Sequence, residues 1–164
     1  MTRRAHRAWI AIAAAAAGAA GAAAWWQLGR GDGAVPARLR PDDERVLARG
    51  REVYQAHCAS CHGARLEGQP DWRQRGADGR LPAPPHDASG HTWHHPDEVL
   101  FAIVKHGVAK VAGIADYATA MPVYDGVLDD DDIVAVLSWI KSRWPADVRA
   151  KHDQINRQAR EAAR

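Results

Sequence analysis

The 164 residues allow one globular domain, and 26% of them are charged, with a formal net charge of +2. That figure conceals an uneven distribution: residues 42–145 carry 16 acidic and 11 basic residues, a balance of −5, while both flanks are basic. A mildly acidic domain excludes a nucleic-acid-binding core, which needs a basic face, and a surplus of this size reads as a solubility feature.

The N-terminus opens with "TRRAHR", three arginines and no acid, followed by 22 uncharged residues from Ala8 to Gly29. A positive start before an apolar run is the pattern of an export signal or a membrane anchor whose N-terminus stays in the cytoplasm. About 20 helical residues span a bilayer core, and Trp25 and Trp26 stand at the far end, where indoles prefer the interface. Residues 1–28 are therefore expected to form an uncleaved transmembrane anchor. A cleaved signal is the alternative, because 12 of the 22 residues are alanine and "AAA" at 22–24 resembles a cleavage site. Residues 29–41, rich in Gly, Pro and Arg, read as a linker.

Three amphipathic helices are predicted within a domain at 42–145. The first, in "PDDERVLARGREVYQAHC", has acids at its positive end and Val46, Leu47, Val53 and Tyr54 on one face. Gly50 in its middle is unfavourable by about 1 kcal/mol against Ala, which implies close approach of another helix. The second, in "HPDEVLFAIVKHG", starts at Pro96, Asp97 and Glu98, buries Val99, Leu100, Ile103 and Val104, and ends at Gly107. The third, in "DDDDIVAVLSWIKSRWP", has four Asp at its start and Lys141 and Arg143 at its end. Ile133, Val136, Leu137 and Ile140, joined by Trp139, form its buried stripe, and Pro145 stops it. The acidic run 129–132 reads as a solvated helix start rather than a metal site. The tail 146–164 is polar, with Val148 and Ile155 its only large apolar residues, and is expected to be a surface helix or disordered.

Between these helices lie two long irregular stretches, 59–95 and 107–128. Such loops are unusual in a compact domain, and three short helices supply little core. A large apolar cofactor is expected to fill the middle.

The only two cysteines occur as Cys58-Ala-Ser-Cys61-His62. This is C-x-x-C-H, the attachment sequence of c-type haem. Two residues between the thiols let one turn of chain offer both sulfurs to the haem vinyl groups, and His62 is then directed at the iron. A thioredoxin-like pair expects flanking strands; a structural zinc site needs four ligands; a disulfide across two residues staples almost nothing. One motif implies one covalently attached haem c with its iron. The second axial ligand is expected to be Met121, the only methionine besides Met1, whose soft thioether favours ferrous iron. Pro122 stiffens its loop.

These markers, "RGREVYQAHCASCHG" followed by "AMPVYDGVLDDDDIVAVLSWIKSRW", resemble the class I (mitochondrial-like) cytochromes c over about residues 44–145. The resemblance implies an all-α cytochrome c fold, with three main helices and long loops around one haem. It implies that the first and last helices cross, so that Gly50 and Tyr54 meet the face of Val136 and Trp139. It also implies a proline carbonyl accepting the His62 ring N–H, for which "LPAPPH" offers Pro84, with Pro85 next.

The stretch "HDASGHTWHHPDE" departs from the small soluble carriers. Trp93 is expected either to donate its indole N–H to a haem propionate or simply to pack in the core. His86, His91, His94, His95 and His106 are dense enough to raise copper binding as an alternative, against a role in bonding loop backbone.

The function expected is that of an electron-transfer protein with His62/Met121 ligation, not an enzyme by itself, in the periplasm of a bacterium and tethered to the inner membrane. Its partners would be redox proteins, with no nucleic acid. Two other classes stay open: a small-ligand sensor or haem enzyme with a displaceable Met121, and a copper-handling protein.

Overall fold

The computed structural model describes residues 38–164. The expected anchor at 1–28 and all but the end of the expected linker lie outside them. Among the described residues the fold is all-α: α1 Glu44–His57, α2 Ala59–His62, α3 Asp97–His106, α4 Val108–Ala112, α5 Asp130–Ser142 and α6 Ala146–Ala162, with a 3₁₀ turn at Thr92–His94. None of these helices is long and apolar enough to cross a membrane.

Helix α1 begins where the Asp43 side chain accepts from the backbone N–H groups of Arg45 and Val46. It turns Gly50, Val53 and Tyr54 into the core. Helix α5 begins likewise, the Asp129 carboxylate accepting from Asp132 N at 2.7 Å, and buries Ile133, Val136, Leu137 and Ile140. The two helices cross at Gly50. A Cβ on Gly50 would overlap the Ala135 carbonyl oxygen and lie 2.8 Å from Trp139 Cβ, so the glycine is what lets the backbones meet. One step along, the Tyr54 and Trp139 rings pack at 4.8 Å. Outside the crossing, Arg49 grips Asp132 with two bonds of 2.6 and 2.7 Å.

The acidic start of α5 is thus committed to capping and ion pairs. Asp129 caps, Asp132 holds Arg49, and Asp130 accepts from Lys105 Nζ at 2.7 Å. Helix α3 ends at Gly107, whose φ of 87° suits glycine. A further short helix, α4, follows it within the stretch read as irregular.

Of the two states expected for the tail, the structure shows the surface helix: α6 runs for 17 residues and buries Val148, His152 and Asn156, one residue per turn on a single face. Its partners are the start of α3 and the turn before it. Asn156 Nδ2 donates to Asp97 Oδ1 at 2.9 Å and Asn156 Oδ1 accepts from Asp97 N at 2.8 Å, while the His152 ring bonds the His95 carbonyl at 3.0 Å. The end of the linker is also part of the domain. Leu39 is buried, its N–H donates to Asp97 Oδ2 at 3.2 Å, and the N–H of Arg40 donates to Ser138 Oγ at 2.9 Å. Asp97 therefore joins the incoming chain, α3 and α6, and an apolar group in place of the carboxylate would remove the bonds from Leu39 N and Asn156 Nδ2.

Candidate functional site

Helix α1 delivers Cys58 to the centre of the fold. Cys58 N still bonds Tyr54 O at 2.9 Å, but its ψ of −37° with φ −120° departs from the helix, and α2 starts at once. Cys61 N and His62 N both return to the Cys58 carbonyl, at 3.2 and 2.9 Å. One tight turn therefore carries both thiols and the imidazole. Gly63, at φ 82°, ends it, and its carbonyl accepts from the buried Tyr54 hydroxyl at 2.8 Å. The turn is fastened to α1 by a side chain that also packs on α5.

His62 is buried. Its Nδ1 lies 2.8 Å from the carbonyl of Pro84, the first of the two prolines named from the sequence. A carbonyl only accepts, so Nδ1 carries the proton and Nε2 is left with a free lone pair. Burial pushes the His62 pKa down, opposed by the bond to Pro84, and the ring is a neutral donor. The Cys58 thiol is pushed up to about 11, by burial first and by the neighbouring Cys61 second. Cys61 is exposed, and the two are not joined as a disulfide.

Met121 reaches the same cavity from the irregular chain between α4 and α5. Its N–H donates to Thr119 Oγ1 at 3.1 Å. Behind it the chain is tied to the end of α3 through Tyr124 N to Val104 O, 3.2 Å, and Asp125 N to Lys105 O, 3.0 Å. The Tyr124 hydroxyl reaches across to the carbonyl of His57 at 2.7 Å.

Cys58, Cys61, His62, Pro84 and Met121 line one cavity of about 380 Å³, walled mainly by apolar side chains such as Leu100, Ile103, Val104, Leu137 and Ile140. Two thiols on one turn, a neutral imidazole with a free Nε2, a thioether and an apolar wall form a donor set that fits a covalently held haem.

Trp93 does not join them. Its indole N–H donates to the Ala88 carbonyl at 3.2 Å, its ring stacks on His94 at 3.7 Å, and it is not among the cavity-lining residues. Of the two roles expected for it, the ring packs against the core, and the indole N–H closes the local loop. The histidine-rich stretch is likewise taken up by structure: among the described residues no group of three or more His, Cys, Asp or Glu is placed to hold a metal ion. His91 and His95 do line the cavity, and burial lowers the pKa of His95.

Three contributors escaped sequence reasoning. Tyr124, Trp72 and Tyr117 all line the cavity, and all sit in segments without periodicity. Only the short distance of Tyr124 from Met121 along the chain could have marked it.

Residues 45–140 match the family model described as cytochrome c oxidase, cbb3-type, subunit III. The match runs from the first turn of α1 to Ile140 in α5 and contains every cavity residue from Cys58 to Met121. No curated protein and no solved structure matches the chain.

Proposed function

Because the chain belongs to the family of cytochrome c oxidase, cbb3-type, subunit III, whose cytochrome c domain carries covalently attached haem c, we propose that Cys58 and Cys61 form the two thioethers and that His62 and Met121 hold the iron from its two faces. The all-α fold is the cytochrome c fold, and the protein is an electron carrier or a subunit of a redox complex, with redox proteins as partners. Haem c supplies a one-electron ferric/ferrous couple at the centre of the cavity.

The chain's own residues do the rest. The Pro84 carbonyl keeps the proton on Nδ1 of His62 and so keeps Nε2 available as a donor. The Thr119 hydroxyl and the ties at Tyr124 and Asp125 hold the backbone that presents Met121 to the cavity. Leu100, Ile103 and Leu137 exclude water from the cavity wall, which limits reorganisation as charge changes. With His62 and Met121 both holding the iron, no position would be left for a substrate, which supports electron transfer rather than catalysis.

The observation that carries this reading is the convergence of Cys58, Cys61, His62 and Met121 on one apolar cavity. The arginine-rich start and apolar run at residues 1–28 support a periplasmic domain tethered to a bacterial inner membrane.

The test is to express the full chain in a host that matures c-type cytochromes, then measure its mass and its oxidised and reduced absorption in membrane and soluble fractions. The expected protein is coloured, exceeds the polypeptide mass by one haem, and is membrane-bound. Colourless protein with the mass of the bare chain would refute the proposal. Ready carbon monoxide binding by the reduced protein at neutral pH would instead favour a sensor or a haem enzyme with a displaceable sixth ligand.

A further inference from the structure

The His62 ring is touched twice by one short stretch of chain. Pro84 meets its edge through the carbonyl, 2.8 Å from Nδ1, and His86, two residues on, lies over its face with ring centroids 3.9 Å apart and planes only 22° from parallel. A single hydrogen bond at Nδ1 fixes one edge of an imidazole and leaves it free to rock about that line. A second flat ring at stacking distance removes that freedom.

His86 is itself held from several directions. Its backbone N–H donates to Leu66 O at 2.8 Å. Its carbonyl accepts from Trp144 Nε1 at 2.7 Å. Its Nδ1 lies 2.7 Å from Oγ1 of the buried Thr92, and its ring stands edge-on to Tyr54 at 6.3 Å. These anchors come from the loop after α2, the end of α5, the 3₁₀ turn and α1. The two backbone bonds fix where the residue sits, and the bond at Nδ1 to Thr92, which a ring serving only as filler would not need, fixes how the ring is turned.

We propose that His86 is a positioning residue for the His62 imidazole, its stacked ring setting the plane in which Nε2 is presented to the cavity. This rests on His62 being an axial ligand. The plane of an axial imidazole decides how its orbitals overlap those of the metal, and a neighbour in van der Waals contact tunes the donor without touching the metal. Pro84 and His86 then divide the task, one fixing the tautomer and the other the tilt.

The experiment uses the haem-loaded full chain and compares wild type with His86→Leu, which fills similar space without a flat face, and His86→Phe, which restores a flat ring. The readouts are the electron paramagnetic resonance g values and the hyperfine-shifted haem-methyl resonances of the oxidised form. In H86L the g values are expected to shift and the methyl resonances to reorder or split, while H86F returns both toward wild type. Wild-type spectra in H86L, or equal changes in H86L and H86F, would overturn the inference. Should H86L fail to accumulate folded, Thr92→Val, which frees the Nδ1 edge of His86, carries the same test with the same outcomes. Coloured wild-type protein with an unresponsive H86L sinks this inference alone. Haem ligation that persists unchanged in His62→Ala, or a colourless wild type, sinks the ligand assignment and this inference with it.

Discussion

The Tyr124 hydroxyl donates to the carbonyl of His57 at 2.7 Å, tying the loop that carries Met121 to the residue immediately before Cys58. The two halves of the proposed iron site, 60 residues apart in sequence, are thereby fastened without passing through the metal. Removing the hydroxyl in Tyr124→Phe keeps the ring in the core and frees the loop. A lost neutral hydrogen bond costs about 1 kcal/mol, which as a change in loop closure is roughly a fivefold effect. Added imidazole is expected to displace Met121 in the oxidised variant at roughly fivefold lower concentration, followed by absorbance. An unchanged displacement curve would show that the bond does not hold the loop.

Met121 is predicted to set the potential. A thioether favours ferrous iron, so Met121→Ala is expected to lower the reduction potential and to abolish the weak sulfur-to-iron charge-transfer band of the oxidised form. The measurement is a spectroelectrochemical titration beside the oxidised spectrum. A band that survives in the variant would rule Met121 out as a ligand.

At Gly50 helix propensity and packing pull in opposite directions. Alanine gains about 1 kcal/mol of propensity at an exposed helical position, yet here its methyl would overlap the Ala135 carbonyl oxygen and crowd Trp139 Cβ. Backbone cannot retreat as a flexible side chain does, so overpacking wins. Gly50→Ala is expected to destabilise the domain by about 1–3 kcal/mol, read as a lower denaturation midpoint. Gly79, with nothing near its side-chain position but φ of 75°, is the control for backbone strain without a clash.

The helices α1, α3 and α5 were legible because their ends carry local signals, Asp43, Pro96, Gly107 and Asp129, and their apolar faces repeat at helical spacing. The His62–Pro84 contact was legible because the resemblance to class I cytochromes c implied a proline carbonyl there. Trp93 was left between two roles because nothing in local sequence says which way an indole turns. The tryptophan whose N–H does bond next to the site is Trp144, reaching the His86 carbonyl across 58 residues, and no periodicity reports such a pair. Helix α6 was legible only in part, for a different reason. Its buried face is Val148, His152 and Asn156, so hydropathy scores as solvated a surface whose polar atoms are all bonded inside the fold. The stacking of His86 on His62 was hidden among neighbouring histidines that serve other ends.

That buried face predicts a pH dependence. His152 is fully buried beneath Trp144. Its Nε2–H donates to the His95 carbonyl at 3.0 Å, with Asp97 Oδ1 at 3.5 Å, and its Nδ1 accepts from Asn156 Nδ2 at 3.4 Å. The neutral ring satisfies both nitrogens. Burial first, and the Lys141 ammonium second, push its pKa below 6.5, while Asp97, the His95 carbonyl and Asp153 oppose them. The unfolded chain takes up a proton near pH 6.5, as an unperturbed histidine does, and the folded chain resists until lower pH. In that window the unfolded state binds more protons, so stability rises with pH. The contribution is complete above about pH 6.5 and is lost as the pH falls toward the depressed folded value. The melting temperature is therefore expected to fall between pH 7.5 and 5.5. His152→Gln, which keeps a donor and an acceptor but does not titrate, should flatten the slope. His62, His86, His94 and His95, also held low by burial first, leave the variant a residual dependence of the same sign. A variant with the full wild-type slope would show that the pH dependence arises away from α6.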